Sequence, residues 1–100
     1  MKIKTIDSNT KTWFDKANGN TYFSTRIVLN YGMKSQKEFK IPFEYGYSSF
    51  DFETTKFLVK EKLLPENLKY PQYLRDAGII FRQFTKEGCK KKEVIEWGKE

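Results

Sequence analysis

A chain of 100 residues is the size of one ordinary domain, and a content of 38% hydrophobic and 17% aromatic residues is enough apolar material for one core. The charged fraction of 32% and the formal net charge of +6 make the surface basic, which favours encounter with nucleic acid, anionic lipid or acidic protein patches. Cys89 is the single cysteine and histidine is absent, so these residues hold no intramolecular disulfide, no cysteine metal cluster and no imidazole base.

Residues 2–14 read as a strand that runs irregularly into Trp13 and Phe14, and Asn18-Gly19 is a short hairpin signal. The first two strands are therefore expected to be adjacent and antiparallel. From Tyr22 the alternation is strict, with Phe23, Thr25, Ile27, Leu29 and Tyr31 on an expected core face and Tyr22, Ser24, Arg26, Val28 and Asn30 on the other. After the polar stretch "GMKSQKE", Phe39, Ile41, Phe43 and Tyr45 recur on one side, against Lys40, Pro42 and Glu44. Pro42 has no N–H to give a ladder, which predicts an edge strand or a bulge there.

The period changes at "YSSFDFETTKFLVKEKLLP", where Ser49 or Asp51 is placed to cap a helix and Pro65 to end it. Phe50, Phe57 and Leu64, with Thr54 and Leu58, form the stripe expected to lie on the sheet. "YPQYLRDAG" predicts a shorter helix from Pro71 to Gly78, "IIFRQFT" a fourth strand, and "KKKEVIEWG" a C-terminal helix ended by Gly98. The resulting order, β-β-β-α-α-β-α, predicts a single α+β domain over residues 1–100. In it, a mainly antiparallel sheet of about four strands carries its helices on one face.

No segment offers the apolar core of a signal peptide or a run long enough to span a bilayer, so a cytoplasmic protein without membrane association is expected. Catalysis is not expected either. Asp51 and Glu53 suit the macrodipole of a first helical turn, and Cys89 has lysines but no base beside it in sequence. Phosphate loops, metal-ligand spacings and nucleophile elbows are missing, and no cofactor is expected.

Two features point instead to binding. Lys90, Lys91 and Lys92 fall at an expected helix start, where ammonium groups and free N–H groups would favour a phosphate; the competing reading pairs Lys90 with Glu93 and Lys92 with Glu96. Tyr22, Arg26 and Lys40 are expected on the face that no helix covers, with Trp13 and Lys16 beside them in the solvent-facing hairpin. Interleaved aromatics and cations there suit single-stranded nucleic acid, while the competing reading is an aromatic brace across strands.

"TIDSNTKTWFDKANGNTYFSTRIVLNYG" followed by "FEYGYSSFDFETTKFLVKEKLLP" resembles small, mostly uncharacterised accessory proteins of bacterial phages and mobile elements, over roughly residues 3–98. The resemblance rests on the Asn-Gly hairpin, a "YGY" after the third strand and the helix that follows. It implies no catalytic residues. It implies a bacterial host cell and binding to a host or defence complex; with the basic, aromatic surface, the expected partner is nucleic acid, RNA or DNA, or a host nucleoprotein complex. The alternative is an anti-defence inhibitor, anti-CRISPR-like, that binds a host protein such as an RNA-guided nuclease directly.

Overall fold

The computed structural model describes residues 2–46 and 49–99, so Tyr47 of the "YGY" lies outside the described residues. Strands β1 (Thr5–Asp15), β2 (Asn20–Leu29) and β3 (Lys37–Tyr45) precede helix α1 (Phe50–Lys60). Two 3₁₀ turns, Glu66–Leu68 and Pro71–Tyr73, lead to strand β4 (Ile80–Lys86) and helix α2 (Lys91–Trp97). The α+β class and, in outline, the expected chain order hold, with the second helical piece reduced to the turn Pro71–Tyr73 and an unexpected turn, Glu66–Leu68, before it. Pro71 opens its turn as expected, and Gly78 closes the segment with φ +76°.

The sheet order is β3-β2-β1-β4, with β1–β2 and β2–β3 antiparallel and β1–β4 parallel. The sheet is mainly antiparallel, as expected, and the parallel pairing of β4 makes it mixed. The cause is the crossover. The chain leaves β3 at one edge and, by way of α1 and the 3₁₀ turns, reaches β4 at the other, a connection long enough for a parallel return. The first hairpin is made by the loop Lys16–Gly19, in which the Gly19 N–H donates to Asp15 O at 2.7 Å and Gly19 takes φ +68°.

On one face of the sheet Ile6, Phe23, Ile27, Leu29 and Ile41 meet Leu58, Leu64, Leu68 and Leu74, with Phe39, Phe50 and Phe57 packed around them. Buried hydroxyls join α1 to this face. Ser8 Oγ and Thr54 Oγ1 lie 2.7 Å apart, and Thr10 and Thr25 are paired at 2.8 Å, as polar groups without water require. Helix α1 ends at Lys60, before Pro65, through a left-handed Lys62 (φ +61°) and a bond from Leu63 N–H to Leu58 O. Tyr31 does not join the core. Strand β2 stops at Leu29, and the buried Asn30 (φ +54°) uses its side chain to bond Lys4 N–H, Lys2 O and Ser35 Oγ.

Helix α2 lies on the opposite face. Ser24 Oγ donates to Val94 O at 2.5 Å, Trp97 Nε1 to Asn9 O at 2.8 Å, and Arg26 Nε to Trp97 O at 2.9 Å. A Cβ on Gly98 would stand 2.9 Å from Ser24 Cβ and 3.0 Å from Pro42 Cα, so glycine permits this approach as well as ending the helix. The expectation that both helices share one face is corrected accordingly. The helix buries Val94 fully and Ile95 and Trp97 in part against this face, and hydrogen bonds to its carbonyls from Ser24 and Arg26 add to the contact.

Candidate nucleic-acid interface

The site begins with an irregularity in β3. Phe23 is opposite Glu44 and Thr25 opposite Ile41, so β3 advances one residue further than β2 over the same stretch. The extra residue falls at Pro42-Phe43, where proline cannot sustain the ladder. A one-residue slip reverses every side chain beyond it. Phe43 and Tyr45 therefore leave the face of Phe39 and Ile41, where strict alternation would put them, and join Tyr22 and Trp13.

The Tyr22 and Phe43 rings stack with centroids 5.1 Å apart and planes at 6°. Tyr45 meets Tyr22 edge-on at 5.8 Å, and Trp13 lies 5.6 Å from Tyr22 and 6.5 Å from Phe43. Trp13, Tyr22 and Phe43 are half-buried, and Tyr45 is 49% exposed. Lys91 places Nζ 5.3 Å over the Trp13 ring. Cation–π attraction of this kind is worth about 0.5–1 kcal/mol at an exposed site.

Lys90 and Lys92 flank Lys91 and are exposed, as is Lys16 in the hairpin loop. The loop is fixed by Asp15, whose carboxyl accepts from Asn18 Nδ2 at 2.8 Å and Ala17 N–H at 3.1 Å. The Asn18 bond, aided by the backbone donors and the charge of Lys91, holds the Asp15 carboxyl below its ordinary value.

Arg26 and Lys40 stand apart from these groups. They are opposite one another in the register, at the C-terminal end of α2. The Arg26 guanidinium stacks 3.9 Å over the Trp97 ring, which Lys11 also approaches at 4.4 Å, so Arg26 is engaged within the fold. Lys40 is half-buried in a cleft with Glu38, Pro42, Phe57 and Glu61. The uncovered face expected from the sequence is thus divided by α2, which gathers Trp13, Tyr22 and Lys91 at one end and removes Arg26 to the other.

Glu93 reaches back to the sheet. Its carboxylate accepts from Lys11 Nζ at 2.8 Å and Lys86 Nζ at 3.3 Å, and these two bonds hold it below the ordinary glutamate value. Among the described residues, no ion pair joins Lys90 to Glu93 or Lys92 to Glu96, which corrects the competing reading of the lysine run. The sequence reading omitted Phe43 and Tyr45 from the site and Lys11 and Trp97 from α2 docking. Carrying the reversal at Pro42 forward would have found the first two.

No His, Cys, Asp or Glu cluster able to hold a metal ion occurs among the described residues, and none of their helices is long and apolar enough to cross a membrane. Set against family models, curated proteins and solved structures, the chain matches none of them.

Proposed function

We propose that this is a non-enzymatic, stoichiometric binding protein of phage or mobile-element type, acting in the bacterial cytoplasm on single-stranded nucleic acid, free or within a host nucleoprotein complex. The observation that carries the reading is the Trp13–Tyr22–Phe43–Tyr45 patch with Lys91 over Trp13, the exposed Lys90 and Lys92 next to Lys91 in the chain, and the exposed Lys16 in the adjoining hairpin loop. Aromatic faces accept any base, at about 1–3 kcal/mol per stacked base. Exposed lysines neutralise phosphates and release counterions, a gain that does not depend on sequence. A duplex hides its base faces, so the patch favours single strands.

Fluorescence polarisation with labelled single-stranded and duplex RNA and DNA, repeated across a salt series, tests this. Tighter binding of single strands, weakening steeply with salt, is expected. Absence of binding to every nucleic acid at low salt overturns the proposal. Capture of a host protein that survives nuclease treatment would then favour direct protein binding by an anti-defence inhibitor, with Trp13 and Tyr22 as anchors.

A further inference from the structure

We propose that the outer edge of β4 pairs antiparallel with β4 of a second copy of this chain, joining two sheets into one across a twofold axis through Gln83. The two edges of the sheet differ in kind. Strand β3 carries Pro42, a register irregularity and the charges Lys37, Glu38, Lys40 and Glu44, all devices that discourage strand addition. Strand β4 carries no proline and no irregularity in its register with β1, and it leaves Ile80 57% and Phe84 59% exposed.

The backbone polarity of β4 follows from one bond. Ile80 N–H donates to Lys4 O at 3.0 Å, so in a parallel ladder Ile80, Arg82, Phe84 and Lys86 bond inward, and Phe81, Gln83 and Thr85 point their N–H and C=O groups outward. These outward residues are symmetric about Gln83. Antiparallel self-pairing sets Gln83 against its own copy and Phe81 against Thr85 of the copy, and every outward N–H then finds a carbonyl.

Charge selects the occupant. Both cations of the strand already have a carboxylate partner within the chain: Arg82 has Asp7, whose second oxygen accepts from Nη2 at 3.0 Å, and Lys86 has Glu93 at 3.3 Å, which it shares with Lys11. An acidic peptide would have to compete with Asp7 and Glu93 for these cations. In the self-paired register Arg82 lies opposite Phe84 of the copy and Lys86 opposite Ile80, so no like charges are directly opposed and each exposed apolar side chain gains a neighbour. The aromatic patch lies towards the other edge, on β1, β2 and β3, and the pairing does not depend on what it binds.

Light-scattering mass measurement across a wide concentration range tests the pairing. The apparent mass is expected to rise twofold in the wild type, whereas Phe84→Lys, which opposes Arg82 of the copy with a like charge, and Thr85→Pro, which removes one outward N–H, remain monomeric with unchanged circular dichroism. Amide exchange in the unmodified chain provides a second measurement. Phe81, Gln83 and Thr85 should become protected as concentration rises. A wild type that stays monomeric, folded variants that dimerise as it does, or equal exchange at both concentrations would overturn the inference.

Discussion

Phe43 lies parallel on Tyr22 because β3 takes one more residue than β2 to pass Ser24, and the extra residue falls at Pro42-Phe43. A local backbone event thus moves a phenylalanine from the core side of the sheet to the site. It also explains why four aromatic rings, rather than two, gather at the hairpin end. Stacking among them is worth about 0.5–1.5 kcal/mol per pair beyond area burial, so the patch is partly self-supporting. A bound base would extend an existing stack instead of ordering loose side chains.

Leu29 tests the core. Its side chain is fully buried between β1 and the elements packed above the sheet. Leu29→Ala is expected to cost about 2–5 kcal/mol, by lost transfer energy and the cavity left behind. Phe43→Ala, outside that core, should cost less. Urea unfolding of both variants checks the order, and a Leu29→Ala loss below roughly 0.5 kcal/mol, the level of an uninvolved surface site, would remove Leu29 from the core.

Two glycines should fail for different reasons. A Cβ on Gly19 meets nothing within 4 Å, so Gly19→Val is opposed by its left-handed backbone (φ +68°), at about 1–2 kcal/mol. Gly19→Asn should be milder, because asparagine tolerates that region. Gly46→Ala instead drives its Cβ into the buried Phe23 ring, an overpacking expected to cost about 1–3 kcal/mol. Denaturant midpoints distinguish the two mechanisms, since only at Gly19 should asparagine recover stability.

Much of this fold is legible from side-chain pattern. Alternation at Phe23, Ile27 and Leu29 marks the core face, and the stripe of Phe50, Thr54, Phe57 and Leu58 marks the face of α1 that covers it. Pattern is silent about contacts made through main-chain carbonyls, and α2 is held by Val94 O and Trp97 O. Its coverage of the second face was therefore hidden. Parallel pairing of β4 was hidden for a related reason, since an edge strand of seven residues alternates alike in either direction. Of the site, Trp13, Tyr22 and the lysine run could be read, and only the changed parity beyond Pro42 brings in Phe43 and Tyr45.

Docking of α2 should depend on pH through Glu93. Its carboxyl is held below the ordinary value of 4.5 by Lys11 and then Lys86, so it binds protons less readily folded than unfolded. The stabilisation is complete above the ordinary value and is lost as pH falls through the depressed folded value. In a Trp13→Phe background, Trp97 becomes the remaining tryptophan and reports α2 directly. Its fluorescence is expected to change on acidification below about the ordinary glutamate range, and Glu93→Gln should flatten that transition. An unchanged transition in Glu93→Gln would assign the acid sensitivity to other groups.

Phosphate contact and base stacking respond differently to substitution. Replacing Lys90, Lys91 and Lys92 with Gln removes the charges at the start of α2 and should weaken binding to all single strands alike, with a shallower dependence of log affinity on log salt. Tyr22→Ala leaves the charge unchanged but removes the ring between Trp13, Phe43 and Tyr45, and should cost roughly 1–3 kcal/mol of single-strand affinity at nearly constant salt slope. Arg26→Gln is the control. Its guanidinium is stacked on Trp97 and bonded to the Trp97 carbonyl, so its loss should loosen α2 and lower stability before it alters the salt slope. Polarisation titrations at several salt concentrations, with folding checked by circular dichroism, measure all three. If the lysine and tyrosine variants bind single strands as the wild type does, the patch is an aromatic brace across the strands, because neither its charge nor its stacking surface is then used by a ligand.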